Sequence, residues 1–383
     1  MTNFVLLKGA ASPTATVRFA RDATQKGIEP SHFRLFEGLT LSSTGVGTYL
    51  GGMSSSVDEQ MENAIFDSVK SGAFNVIDTA INYRAMKSEK SIGRALVRLA
   101  EAGISRDQLF ISTKNGYITN DADYASIGLD EYIRKMYVDS EVIHEEDISP
   151  SYHVMKPEYI ARCIDKSLAN LHLESLDLVY IHNSFESWSG HVDKETYFDM
   201  LTEVFELHEK YRDAGRIRYY GMATWTCFRV PRSSQQFISM EEVVHAARSA
   251  GGENHGFRCI QLPYNLLYNE AATLQNQPVT GENELLTPLD AAKKLGIGLF
   301  ASVPLMQGKL LEVPLPADPR MFPASPASAK LVQFVRSSPG IVSALIGQKS
   351  PQHVQDNSQI ARLAPLDAGE FARALKIVGD SRG

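Results

Sequence analysis

Eight short apolar runs, each parted from the next by a stretch with helical spacing, limit what this chain can fold into more than any other feature. They fall at 44–50, 74–77, 109–113, 176–181, 217–221, 257–261, 297–301 and 341–347. After the first run, Ser56 and Glu59 form a capping-box signal ahead of Met61, Ala64, Ile65 and Val69 at helical spacing, and Lys70-Ser71-Gly72 closes that helix. Further helices are expected at about 88–103, 157–171, 197–215, 240–250 and 286–295, then from Pro351 and from Asp367. Strands that alternate with helices pair in parallel, and near-continuous apolar strands are covered on both faces. A closed (β/α)8 barrel, the TIM-barrel form of the α/β class, meets both demands. The rival open, doubly wound sheet would carry G-x-G-x-x-G after its first strand, whereas Gly45-Val46-Gly47 runs on into Thr48-Tyr49-Leu50-Gly51.

A length of 383 residues suits one such barrel with additions. Residues 1–31, of weak periodicity, are expected to be an N-terminal extension on the surface, and residues 32–383 the barrel. Two insertions break the rhythm, at about 118–155 and at the Pro-rich 311–326. The first follows the third strand and so stands over the C-terminal mouth, as a lid, a pocket wall or a solvated excursion.

The net charge of −7 argues against nucleic acid or an anionic membrane as partner, since those call for a basic face. Neither a signal peptide nor an apolar run of membrane-spanning length is apparent, so a soluble, cytoplasmic protein is expected. Cys163, Cys227 and Cys259 are odd in number and far apart, which suggests neither disulfides nor a zinc site. No metal site is expected.

Strand ends of a barrel meet at its mouth, so Asp78, Lys114 and His182, which close the second, third and fourth runs, should be neighbours, with Tyr83 on the loop after the second. A phenol is a poor acid at neutral pH, with an ordinary pKa of about 10, and a nearby ammonium lowers that value. Lys114 can supply the ammonium, Asp78 can keep it charged, and His182 can hydrogen-bond a carbonyl oxygen. The set fits proton delivery to an alkoxide forming from a carbonyl. Reduction also needs a hydride, which no side chain supplies, so a nicotinamide cofactor is implied. Taken singly each residue has a plainer reading: Asp78 as a turn cap, Lys114 as a surface lysine, His182 as a satisfied structural histidine.

With these residues in view, the chain resembles the aldo-keto reductase superfamily from about Phe33 to its C-terminus. The resemblance rests on Gly47-Thr48-Tyr49, Ile77-Asp78-Thr79-Ala80-Ile81-Asn82-Tyr83-Arg84, Ser88 to Gly93, Ser112-Thr113-Lys114, Ile181-His182-Asn183, Gln261 to Asn265 and Ile346 to Pro351. It implies that Tyr83 is the general acid, tuned by Lys114 and Asp78, and that His182 positions the carbonyl of a small aldehyde or ketone, or the matching alcohol. It further implies NADP, with NAD less favoured: Gly47, Thr48 and Tyr49 near the pyrophosphate and ribose, Gln261 at the carboxamide, Ser302 and Leu305 in the following loop, Lys349 and Ser350 at the 2′-phosphate, and Asp356 and Asn357 at the adenine.

Three positions depart from the family pattern. Ala223-Thr224 replaces Ser-Asn, so Thr224 supplies part of a carboxamide pair. Ser302 stands where many members stack an aromatic ring, leaving Trp225 or Phe300 as substitutes. His353 replaces an arginine clamp, and a neutral imidazole binds phosphate less well than a guanidinium. Trp188 and Trp225 follow strands four and five and could line the substrate pocket. A catalytically idle barrel that senses nicotinamide nucleotide is the alternative function. A metal-dependent hydrolase would want His-x-His on an early strand, which Val46-Gly47-Thr48 does not offer.

Overall fold

The computed structural model describes residues 6–124, 126–312 and 327–380. Two strands, β1 (Phe33–Phe36) and β2 (Leu39–Ser42), form an antiparallel hairpin ahead of the barrel. The barrel strands are β3 (Thr44–Gly47), β4 (Val76–Asp78), β5 (Phe110–Asn115), β6 (Leu176–His182), β7 (Ile217–Ala223), β8 (Phe257–Pro263), β9 (Gly298–Ser302) and β10 (Ile341–Gly347). They close in chain order, β10 pairing with β3, and every pairing is parallel. The expected (β/α)8 barrel is the observed one.

β3, β4, β5 and β9 are shorter or shifted relative to their apolar runs, β6, β7 and β8 run one or two residues past theirs, and β10 matches its run. Thr48 to Leu50, which read as strand, are already loop, with Thr48 buried and Tyr49 and Leu50 exposed. The first barrel helix runs Ser55–Lys70 and is capped by Ser54, whose hydroxyl accepts from Val57 N, rather than by Ser56 two residues later. Either serine can cap; Ser54 lets the helix begin two residues earlier.

The barrel floor was not legible as such. The hairpin turns at Glu37 (φ 48) and Gly38 (φ 77), the two-residue turn with both φ positive that matches strand twist. It drives Phe36, Leu39 and Leu41 up into the barrel, where they meet Phe110 and Phe300. Burying each such ring is worth about 1.5–3 kcal/mol. Residues 13–25 also depart from the expected surface extension. Pro13–Gln25 is a helix started by Ser12 and Pro13, with Ala15, Phe19, Ala20 and Ala23 buried against the hairpin side of the barrel. Its apolar face is mostly alanine, so its periodicity is faint in the sequence. Ala327–Ser337, a further helix between β9 and β10, was likewise unanticipated.

The 118–155 insertion is packed, not solvated. Ile118, Tyr132, Ile133, Tyr137, Ile143, Val154 and Met155 are buried, and Tyr137 meets Tyr159 of helix Pro157–Leu171 edge-on at 5.1 Å. Its Asp121 is buried between Lys90 (2.5 Å) and Lys166 (2.6 Å). Of the Pro-rich stretch, 313–326 lies outside the described residues. Among the described residues no helix is long and apolar enough to cross a membrane.

Candidate active site

At the mouth, β4 and β5 lie side by side with Asp78 opposite Ser112, so Lys114 extends one step further along its strand and reaches back. Its ammonium meets Asp78 Oδ2 at 2.5 Å and the Thr79 carbonyl at 2.7 Å. The other carboxylate oxygen accepts from Ser112 Oγ (2.8 Å) and from Gln261 Nε2 (2.9 Å), which arrives from the opposite wall. Asp78 and Lys114 are both buried. A buried ammonium survives only if paired and hydrogen-bonded. Burial works against the Lys114 charge, but Asp78 and Tyr83 outweigh it, and its pKa is raised.

Tyr83 caps this pair. Lys114 Nζ lies 5.0 Å from its ring centroid, Tyr49 meets it edge-on at 5.0 Å, and His182 at 6.0 Å. Burial raises the Tyr83 pKa above its ordinary value; Lys114 pulls it down and Asp78 pushes it up. The ammonium therefore acts in the expected direction, but burial wins, and the resting phenol is firmly protonated. After Tyr83 the chain makes a left-handed passage through Arg84 (φ 54), Ala85 (φ 50) and Met86 (φ 69). Three consecutive non-glycine residues there cost of order 1–3 kcal/mol each. Arg84 anchors the passage, donating from Nε to the Gly52 carbonyl (2.9 Å) and pairing with Asp58.

His182 ends β6, with its ring partly open to the mouth, and Asn183 turns the chain with φ 47. Its surroundings and the Lys114 charge push its pKa well below the usual histidine value, so the ring is neutral. Thus the structure brings Asp78, Tyr83, Lys114 and His182 together.

The other expected residues ring the same mouth. Gly47 ends β3; Thr48 donates to the Asp78 carbonyl (3.0 Å); Tyr49 is 54% exposed beside Tyr83. Thr224 is turned inward, its N–H and hydroxyl both on the Gln261 carbonyl (2.8 and 3.3 Å). Ser302 ends β9 and is followed by Val303 at φ 46, a strained value for a β-branched residue, whose carbonyl is held by Asn265 (3.0 Å). Leu305 is half-buried in that loop. Ser350 caps helix Pro351–Ile360 and accepts from His353 N (3.2 Å), with Lys349 half-buried before it and His353 exposed. Asn357 is buried, and its amide donates to Gln348 Oε1 at 2.7 Å.

The model of the Aldo/keto reductase family matches residues 44–330, three quarters of the chain. The chain belongs to the aldo/keto reductase family. Solved structures agree on the fold. A glycerol dehydrogenase of Gluconobacter oxydans is similar at TM-score 0.61 and 19% identity, over 91% of this chain and 96% of that one. An aldo-keto reductase of Bacillus halodurans in its holo form is similar at 0.60 and 18%, over 90% and 95%. An aldo/keto reductase of Klebsiella pneumoniae, solved in complex with NADP and acetate, is similar at 0.55 and 18%, over 90% and 94%.

Membership makes the protein an oxidoreductase of the (β/α)8 class. Within that aldo/keto reductase frame, Phe300 is not available at the mouth: it is buried in the barrel floor, stacked on Phe110 at 5.9 Å. Of the two rings named as substitutes, that leaves Trp225, 42% exposed on the loop after β7. Trp188 is buried and hydrogen-bonded, and His208 packs on Tyr220.

Three mouth residues of this aldo/keto reductase escaped sequence reasoning. Glu186 Oε1 accepts from the backbone N–H groups of Trp225 (2.7 Å), Thr226 (2.7 Å) and Cys227 (3.1 Å), which sets the loop carrying Thr224 and Trp225. Tyr117 stands edge-on to His182 at 5.2 Å, and His153 edge-on to Tyr117 at 5.1 Å. Glu186 sits in a five-residue helix too short for periodicity, and His153 lies 29 residues before His182 in an insertion of mixed composition, so neither carries a local signal.

Proposed function

We propose that the protein is an NADPH-dependent oxidoreductase that reduces an aldehyde or ketone to the alcohol, with Tyr83 as general acid. The observation that carries this reading is the buried Lys114–Asp78 pair directly beneath the Tyr83 ring and beside a neutral His182. NADPH, when bound, supplies the hydride. The residues present fit it: exposed Tyr49 and Trp225 flank the opening above Asp78, and a ten-residue helix presents its capped N-terminus with Lys349 beside it, a site suited to a phosphate. Gly47, Thr48 and Tyr49 would line the ribose and pyrophosphate, Ser302 and Leu305 the facing loop, Lys349, Ser350 and His353 the 2′-phosphate, and Asn357 the adenine. Gln261 and Thr224 would take the carboxamide in exchange for their present bonds.

His182 orients the carbonyl so that its oxygen faces the Tyr83 hydroxyl. As negative charge gathers on that oxygen, the phenol gives up its proton, and Lys114 stabilises the phenolate left behind. Asp78 keeps Lys114 charged throughout. Burial that raises the resting Tyr83 pKa keeps the acid loaded until the oxyanion draws the proton away.

A nucleotide sensor without turnover draws support from one observation: the polar groups of Thr224 and Gln261 face inward rather than toward a carboxamide. The intact set around Tyr83 weighs against it. Oxidation of NADPH and NADH is to be followed over a panel of carbonyls, with Tyr83→Phe as control. Turnover with NADPH that vanishes in the variant supports reduction; NADPH binding without turnover on any carbonyl supports the sensor.

A further inference from the structure

The 118–155 insertion reaches the mouth at its neck, where Tyr117 pairs with His153 across an antiparallel bridge. His153 is fully buried, and its Nδ1 accepts from Trp188 Nε1 at 3.1 Å. An indole N–H can only donate, so this nitrogen carries a lone pair. Burial holds the His153 pKa down to about 3, and the ring is neutral. Its one proton must therefore sit on Nε2. That nitrogen lies against Gly116, where any Cβ would collide with it and where φ is +113, so only glycine serves. Nε2 makes no hydrogen bond of good geometry, although the His182 backbone carbonyl draws on its proton.

His182 presents the complementary defect. Its Nδ1 is buried and likewise without a partner. A neutral imidazole has one proton to place. On Nε2 it can donate to a carbonyl oxygen in the mouth; on Nδ1 it leaves a lone pair facing that oxygen. Nothing on β6 itself decides between the two. Tyr117 stands edge-on to both imidazoles, so the two rings occupy one packed unit with Trp188 behind it.

We infer that His153 is a positioning residue: its Nε2–H, through one water, satisfies the buried side of His182 and thereby places the His182 proton on Nε2, facing the substrate carbonyl. The inference rests on the carbonyl-reducing reading above for its catalytic consequence. It also gives the insertion a role: the Trp188–His153–His182 line fixes a tautomer at the mouth, as a hydrogen-bonded partner fixes the tautomer of other functional histidines.

The test is 15N NMR of the histidine rings in the full-length protein with NADP+ added, His182 being assigned by the signals lost in His182→Asn, alongside steady-state kinetics. Wild type is expected to show His182 protonated on Nε2. His153→Phe should shift it toward the Nδ1–H form and lower kcat on the order of ten- to a hundredfold, with KM for NADPH unchanged. His153→Gln retains both a donor and an acceptor for Trp188, and should restore the tautomer and most of the rate. A wild-type His182 protonated on Nδ1 overturns the inference, as does a His153→Phe variant with unaltered tautomer and kcat. Should His153→Phe not fold, the wild-type tautomer and the His153→Gln comparison decide. If Tyr83→Phe costs no activity, the carbonyl-reducing reading fails, while the NMR result still decides the role of His153.

Discussion

The two ends of this barrel both bury charge, and they treat it differently. At the floor, Asp177 is buried against Arg106 (2.6 Å) and also accepts from the N–H groups of Ala11 (2.6 Å) and Ile111 (2.8 Å). Before β10, Arg336 is buried with donors placed on Gln333, the Leu363 carbonyl and His32. Among the described residues, polar atoms of Thr79, Asn82, Asn115, His182 and Glu186 at the mouth are buried without hydrogen-bond partners, and at the floor the Thr44 and Ser343 hydroxyls and Arg106 Nε. The backbone divides in the same way. Among described non-glycine residues with positive φ, Arg84, Ala85, Met86, Asn183, Val303, Met306 and Gln307 follow strand ends at the mouth, Glu141 and Tyr152 lie in the insertion, and Glu37 and His172 turn the chain ahead of strands at the floor. One end is built to be satisfied; the other keeps unspent hydrogen bonds and strain, which is where a ligand can repay them.

The sharpest break of this contrast is Tyr83→Phe. It should lower kcat by about 10²- to 10⁴-fold, the range for a lost general acid, with the melting temperature hardly moved. In wild type the raised Tyr83 pKa puts any alkaline limb of the reduction rate above pH 10, the ordinary tyrosine value; a limb below that would show that the phenol is not the acid.

Next comes a matched pair. Arg106→Met at the floor and Lys114→Met at the mouth each strand a buried carboxylate, and each should cost about 3–5 kcal/mol in urea unfolding. Only the mouth variant should lose kcat per folded molecule. Equal activity losses would erase the division between the ends.

A pH-dependent effect is shared by both ends. Burial lowers His32 and His153 to about 3 and His208 to about 4. Each is neutral in the fold and charges near pH 6.5 when unfolded, so the unfolded chain binds more protons below that pH. Stability present above pH 6.5 should fall toward pH 3–4, by about 1.4 kcal/mol per pH unit for each histidine. Urea midpoints at pH 7, 5.5 and 4.5 measure it, and a flat profile would mean that these rings are charged in the fold.

The mildest is Lys349→Met. Loss of a charged phosphate contact should raise KM for NADPH about tenfold and leave KM for NADH unchanged. Equal changes with both cofactors would place the 2′-phosphate elsewhere.

Much of the barrel was legible because its code is local. An apolar strand of five residues and a helix with period 3.6 declare themselves within a dozen positions, and a parallel βα repeat then puts every strand end at one mouth. Asp78, Tyr83, Lys114 and His182 could thus be grouped before any contact was known. The hairpin floor and the alanine-faced N-terminal helix were harder, since four-residue strands and small apolar side chains leave little periodic signal. Gln261 illustrates the remaining limit. Its place at a strand end is legible, but the bond its N–H makes to Asp78, 183 positions away, is not.

The amino-acid sequence by itself determined the strand-helix alternation, the barrel that follows from it and the four side chains delivered to its mouth, because each depends on patterning within a few turns of chain. The tertiary structure alone decided that burial outweighs Lys114 in setting the Tyr83 pKa, that Phe300 belongs to the floor and Trp225 to the mouth, and that Tyr117 packs edge-on against both His153 and His182. Those are properties of distance and dielectric between residues far apart along the chain, which exist only once the barrel has closed.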